Sequence, residues 1–193
     1  MTLANLKDYL LINSLQYFVG ADDIEVTDEV LEGLSKRALA TYANWRPLYS
    51  FTELDIDNYE TTIKLDSSGR RILNIVNLYF FEPAIAGEAG AIPWNWEYNK
   101  DNGRFKTEIT GSYTAETLVM GTLEDYDDSN IELMEMLLGL YMMYVGSSRK
   151  AFTFGDQPFE NDGADIYSDG KELWETTLES LKTEQDNWYL GIL

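Results

Sequence analysis

Tyr59-Glu60-Thr61-Thr62-Ile63-Lys64-Leu65-Asp66 alternates without a break. Tyr59, Thr61, Ile63 and Leu65 fall on one side of an extended chain and Glu60, Thr62, Lys64 and Asp66 on the other, the period of a half-buried strand. Asp66-Ser67-Ser68-Gly69 has turn chemistry, and 72–81, rich in Ile, Val, Leu, Tyr and Phe, reads as a more buried partner, so the economical prediction is a hairpin. Residues 83–93 hold Gly87, Gly90 and several Ala with no period and form a loop. Trp94, Trp96 and Tyr98 then alternate with Asn95 and Glu97, Lys100-Asp101-Asn102-Gly103 turns the chain, and Phe105, Thr107 and Ile109 return, a second hairpin. A weaker strand at 118–120 completes the sheet.

On both sides of this block the period is helical. Leu3, Leu6, Leu10 and Tyr17 mark a first amphipathic helix. Thr27 is placed to cap a second, whose first-turn Asp28 and Glu29 suit a helix N-terminus. Its apolar positions are Val30, Leu31, Leu34, Ala38 and Tyr42, and it must stop before Arg46-Pro47, because the residue before a proline is pushed out of the helical region. Ser129-Asn130-Ile131-Glu132 matches a capping box, with Ser129 bonding forward and Glu132 reaching back. Ile131, Met134, Leu138, Tyr141 and Val145 define a buried helix ending near Gly146, with Arg149 and Lys150 at its C-terminal end. A last helix from about Asp165 carries Ile166, Leu173, Trp174, Leu178 and Leu181, and the chain closes on an apolar tail.

Helices, then antiparallel strands, then helices predict an α+β fold, an N-terminal helical pair and C-terminal helices packed together with a central sheet of hairpins. The 193 residues suit a single domain. Within it, 1–46 and 129–186 form a helical layer, 49–122 a β-rich insertion and 187–193 the tail.

Composition removes whole classes of function. Lys and Arg number 14 against 34 Asp and Glu, a net charge of −20 that repels phosphate backbones and anionic lipid, so tight nucleic-acid binding is not expected. With no His and no Cys, zinc sites, Ser-His-Asp triads, Cys-His pairs and disulfides drop out. The chain has no GxGxxG, GxxxxGK[ST] or GxSxG motif. Among 34 acidic residues no pair stands out for glycosidase work, so neither catalytic residues nor a cofactor are expected, and a carboxylate-dependent hydrolase ranks third among the readings.

Acidic loops do not make a calcium site either. Taking Gly163 as the sixth residue of a calcium loop puts Pro158 in the first ligand position, and neither Asp22-Asp23 nor Asp125-Tyr126-Asp127-Asp128 contains the loop glycine. Val19-Gly20-Ala21 imitates a signal-peptide cleavage site, but the only early cation, Lys7, is followed by Asp8, and Asn13, Ser14 and Gln16 interrupt the apolar run from Tyr9, so secretion is not expected. The run at 131–145 contains two Glu and is too short to span a bilayer.

Residues 39–47, the two hairpins, the capped helix from Ser129, and Gly146-Ser147-Ser148-Arg149-Lys150 followed by Phe159-Glu160-Asn161-Asp162-Gly163 and the last helix occur in a telling order. In that order the chain resembles head-to-tail connector (neck, or adaptor) proteins of tailed bacteriophages. The resemblance implies a non-enzymatic ring of about twelve subunits with head-to-tail contacts. It implies contact with the portal and with tail or neck completion proteins, DNA passing through without specific binding, and a place in the virion neck after synthesis in the host cytoplasm. An acidic wall fits a conduit because it repels DNA where cations would hold it. Trp188, Tyr189, Leu190, Ile192 and Leu193 are the candidate partner contacts, an apolar chain end that gains from docking on a neighbour. The alternative is a β-rich carbohydrate- or protein-binding module that stacks its ligand on Trp94, Trp96 and Tyr98.

Overall fold

A computed structural model describes residues 1–17, 26–79, 96–108, 110–127, 129–151 and 162–190, without the side chains of 150, 151, 162 and 184–190. The chain folds as two compact units, one from Met1–Trp45 with Leu123–Leu193 and one from Arg46–Thr122. Together they are α+β, with four helices and two three-stranded antiparallel sheets among the described residues.

The first unit is helical. Helix α1, Leu3–Ser14, is capped by Thr2, whose hydroxyl accepts from the Asn5 N–H at 3.2 Å, and buries Leu6 and Leu10. Tyr17 lies past its end and is exposed, so it does not share the buried face the periodicity assigned to it. Helix α2, Asp28–Tyr42, starts at the expected cap: the Thr27 hydroxyl accepts from the Val30 N–H at 3.4 Å. It ends ahead of Arg46-Pro47, as the proline requires.

Helix α3, Ile131–Ala151, is the centre of this unit and touches α1, α2 and α4. From Leu133 to Met142 every residue except Glu135 is buried, the signature of a helix enclosed on all sides rather than along one stripe. Three expectations are corrected here. The cap is Asn130, whose side-chain oxygen accepts from the Leu133 N–H at 3.0 Å; Ser129 bonds Asp127 instead, and the Glu132 carboxylate accepts from the Tyr42 hydroxyl at 3.4 Å. Ile131 is 70% exposed. The helix also runs through Gly146 to Ala151, because Gly146 serves a helix contact and not a C-terminal cap.

Helix α4, Asp162–Leu190, begins three residues earlier than expected. It packs antiparallel on α3 so closely that side chains are excluded. A Cβ on Gly139 would sit 2.8 Å from the Gly170 carbonyl oxygen, and one on Gly146 would sit 2.6 Å from that of Gly163. Each pair is separated by seven residues on its own helix, two turns, so one face of small residues stays in contact over that length. Thr177, one heptad beyond Gly170, is buried on α4, and its hydroxyl bonds the Glu135 carboxylate at 3.2 Å.

The second unit is built from strands. Its first sheet has the order β1-β6-β3, with β1 Leu48–Ile56, β3 Arg71–Tyr79 and β6 Gly111–Met120. The other has the order β2-β5-β4, with β2 Glu60–Thr62, β4 Trp96–Asn99 and β5 Arg104–Thr107. The hairpin expected of 59–65 and 72–81 is replaced by partners distant in sequence: β2 pairs with β5 and β3 with β6. Of it, among the described residues, the Leu65↔Arg71 bridge survives, with the Ile72 N–H bonded to the Lys64 carbonyl and the Asp66 N–H to the Arg70 carbonyl, each at 2.9 Å. Tyr59 and Leu65, expected on one face of a strand with Thr61 and Ile63, are 66% and 56% exposed. The strand expected to be weak, at 118–120, belongs to β6, which is central and ten residues long.

Bulges explain how β3 fits its sheet. Ile72, Ile75 and Leu78 are three residues apart and would point to opposite faces of a regular strand, yet all three are buried. Register shifts between Ile72 and Asn74 and between Ile75 and Asn77 each insert one residue, which returns the apolar side chains to the same face. There they join Leu54, Ile56, Tyr113, Val119 and, from the second sheet, Phe105 in one core. The β4–β5 hairpin is as expected over Trp96↔Thr107 and Tyr98↔Phe105. Gly103 closes it at φ +71°, where a side chain would be strained and would meet the Ile63 carbonyl.

Candidate assembly surfaces

The glycine face of α4 fixes what its other side presents. With Gly163, Gly170 and Thr177 turned to α3 and α4's own neighbours, Asp165, Asp169, Glu172, Glu175 and Glu179 are exposed. The exposed Lys171 and the half-buried Lys182 are too few to neutralise them, each lying near one Glu of the same helix, Glu175 at 3.7 Å and Glu179 at 3.4 Å. The described part of α4 therefore carries a net acidic outer face.

Apolar residues are also exposed on this unit. Ile12 and Leu15, at the end of α1, are 67% and 59% exposed. Of the candidate partner contacts, Trp188, Tyr189 and Leu190 belong to the last turn of α4, with side chains outside the described residues, and Ile192 and Leu193 lie outside them altogether. The backbone nevertheless changes the picture of 187–193 as an appended tail, because α4 continues through Leu190. Trp174, Leu181 and Trp188 are spaced by sevens along it, so Trp188 stands in line with Leu181, which is fully buried. The glycine pairs also set Ile131 across from about Leu178, which leaves about three turns of α4 running past the start of α3.

In the strand unit, the aromatic residues are used internally. Trp96 and Tyr98 are half-buried and pack against the core, Trp96 with its ring centroid 6.0 Å from that of Phe105. The Tyr98 hydroxyl donates to the Ile63 carbonyl at 2.9 Å, and burial pushes its pKa up. Trp94 lies outside the described residues. The two described members of the trio therefore spend part of their surface on their own unit.

Among the described residues of this unit two carboxylates are buried, and both are held. Asp66 accepts from the Ser68 and Arg70 N–H groups at 2.9 and 2.7 Å, from Arg70 Nε at 2.9 Å and from the Ser50 hydroxyl at 3.0 Å. Burial alone pushes its carboxyl up, but the Arg70 and Ser50 hydrogen bonds outweigh burial and hold it below the usual carboxylate range. Glu116 accepts from Asn77 at 2.6 Å and from the Tyr79 hydroxyl at 2.8 Å. Both clusters fasten strands to neighbouring chain. Among the described residues no group of three or more Asp or Glu side chains is placed to hold a metal ion, and no helix is long and apolar enough to cross a membrane. Asp22, Asp23, Asp128 and Pro158 lie outside the described residues.

The glycines were the determinants that sequence reasoning passed over. Their signal was available: Gly139 and Gly146, then Gly163 and Gly170, recur at seven-residue spacing within helical sequence, where glycine costs stability unless it does something.

No protein-family model matches the chain, and no curated protein matches it. Among solved structures it is similar to one described as "Neck of empty GTA particle computed with C6 symmetry", at 10% identity over 88% of each chain with a TM-score of 0.31, a likeness too slight to carry an argument about function.

Proposed function

We propose that this protein is a structural subunit of a phage-type virion neck, a member of a ring that joins portal to tail and lets DNA pass, with no catalytic centre. The observation that carries the reading is the chain order of the helical unit. It is assembled from two separated stretches, Met1–Trp45 and Leu123–Leu193, with a complete strand unit inserted between them. That is the order on which the resemblance to head-to-tail connector proteins rests. The net acidic outer face of α4 supports it, since a surface of that sign faces passing DNA without binding it. The ring, of about twelve subunits, requires head-to-tail contacts, and exposed Ile12 and Leu15 and the end of α4 are apolar places for them.

Deleting residues 188–193 tests the reading on both of its sides. Particles made with the shortened chain are expected to accumulate unjoined heads and tails, while the isolated subunit keeps near-normal thermal stability. Normally joined particles, or a subunit that loses much of its stability, would contradict the anchoring role.

A further inference from the structure

The strand unit holds some of its cations against carboxylates and gathers three others where none is in reach. Arg70 meets Asp66 at 2.9 Å, and Arg104 meets Glu60 through Nε at 2.5 Å and Nη2 at 2.6 Å. Lys64, Arg71 and Lys100 have no carboxylate within ion-pair distance among the described residues, in a chain whose 34 Asp and Glu outnumber its 14 Lys and Arg. The three come from separate segments, Lys64 from the chain after β2, Arg71 from the start of β3 and Lys100 from the turn between β4 and β5. Yet they line one hollow of about 270 Å³, and Asp101 is the single carboxylate among the described residues that line it. Like charges repel, so the gathering is unfavourable until an anion enters.

The frame of the hollow is fixed. A Cβ on Gly103 would lie 2.5 Å from Lys64 Cγ, so the absence of a side chain there is what lets the Lys64 stem lie against the β4–β5 turn. The Ile63 N–H bonds the Gly103 carbonyl at 2.7 Å and ties the two segments together at that point. Arg71 is set by its bridge to Leu65 and its pairing with Met120 of β6. The Tyr98 hydroxyl donates to the Ile63 carbonyl at 2.9 Å and lies 3.3 Å from that of Ile72. Burial raises its pKa and the charge of Arg71 opposes that rise, which puts the guanidinium within electrostatic reach of the ring oxygen. With the Tyr98 proton committed to the backbone, the groups left to hold a ligand are the three exposed cationic side chains.

We propose that this hollow is an anion site for a phosphate dianion, free or as the terminal monoester of a larger molecule, held by Lys64, Arg71 and Lys100. Charge selects the ligand. Three cations against Asp101 leave two positive charges, which a dianion neutralises and a monoanion does not. A phosphate monoester carries about −1.5 to −2 at pH 7. Arg71 offers a planar fork that takes two of its oxygens, and the lysines act as point charges on the others. The small volume admits the phosphate and little of what bears it. The unit as a whole opposes an anion less than the rest of the chain does, since Arg46–Thr122 holds 7 of the 14 Lys and Arg but 11 of the 34 Asp and Glu. A backbone phosphate of DNA is a singly charged diester, so the site does not make the chain a DNA binder, and it stands or falls separately from the neck assignment.

Titrating inorganic phosphate into the isotope-labelled full-length protein at constant ionic strength tests the site by nuclear magnetic resonance. Saturable shifts are expected in the amides of 64–65, 71–72 and 98–103. Arg71→Gln and Lys100→Gln change exposed side chains, so each should keep the unfolding midpoint while weakening phosphate binding about tenfold or more. Lys106→Gln, outside the hollow, should leave the affinity unchanged. Phosphate should bind more weakly below about pH 6, where it gains a proton, whereas sulfate, a dianion throughout, should not, which controls for titration of Asp101. Phosphoserine binding more tightly than inorganic phosphate assigns the site to a terminal monoester, and equal or weaker binding assigns it to the free ion. No saturable shift up to tens of millimolar phosphate overturns the proposal. So does binding that survives both Arg71→Gln and Lys100→Gln, that Lys106→Gln weakens as much, or that duplex DNA or chloride matches.

Discussion

The two units hold themselves together by opposite means. In the helical unit, α3 and α4 meet where side chains are missing, with Gly139 against Gly170 and Gly146 against Gly163. In the strand unit, buried charge and its hydrogen bonds fasten the turn after β2 to β1 through Asp66, Arg70 and Ser50. A contact made by absent atoms is sensitive to added volume and indifferent to pH. One made by a carboxylate is sensitive to protons and tolerant of small changes in shape.

The sharpest way to break the first kind is to add a side chain. Gly146→Val would drive its Cβ to 2.6 Å from the Gly163 carbonyl oxygen and the Tyr167 nitrogen, both backbone atoms that cannot step aside. The helices must separate, and a loss of about 3 kcal/mol or more is expected in denaturant titration followed by far-ultraviolet circular dichroism.

The second kind should break with a smaller effect and a pH signature. Asp66→Ala leaves Arg70 and Ser50 without their acceptor and is expected to cost about 2 to 3 kcal/mol, with the loss confined to strand signals if the units melt separately. Because the folded protein holds the Asp66 pKa below its unfolded value, its stabilisation is complete above about pH 4 and disappears as pH falls through the lower folded value. Acid titration of the wild type should show that loss. Asp66→Asn should lack it, and a variant with the same acid profile as the wild type would remove the carboxylate from the account.

The smallest change is the reverse of the first. Gly33 lies within α2, exposed, and a Cβ there would meet nothing within 4 Å. Gly33→Ala should stabilise the helical unit by about 0.5 to 1 kcal/mol, the helix-propensity difference alone, measurable in the same denaturant titration. Together with Gly146→Val it separates glycine as a contact from glycine as a mere weakness in a helix.

What the sequence disclosed follows the range of the forces involved. Thr27 as a cap, the turn at 66–69 and the β4–β5 hairpin are local, set by residues within a few positions of one another, and the structure contains them. Strand partnership is not local. The alternation of 59–66 is compatible with pairing to 72–81, and only long-range packing sends β2 to β5 and β3 to β6. Bulges hid the true pattern of β3, since Ile72, Ile75 and Leu78 obey neither a helix nor a regular strand. At 129–132 the capping-box spelling was present, yet Asn130, equally able to cap, took the position while Ser129 and Glu132 found Asp127 and Tyr42. Of the surfaces relevant to assembly, the acidity of α4 was visible as composition. That its acids share an outer face needed the glycine contact to fix the helix's rotation.

The central claim, that this chain is a ring-forming neck subunit, is tested most directly by cryo-electron microscopy of the intact particle together with the purified protein mixed with its portal. The account predicts a closed ring of about twelve copies between portal and tail, with the helical unit traceable in every subunit. A neck without this chain, or the chain found in the particle only as isolated copies outside any ring, would contradict it.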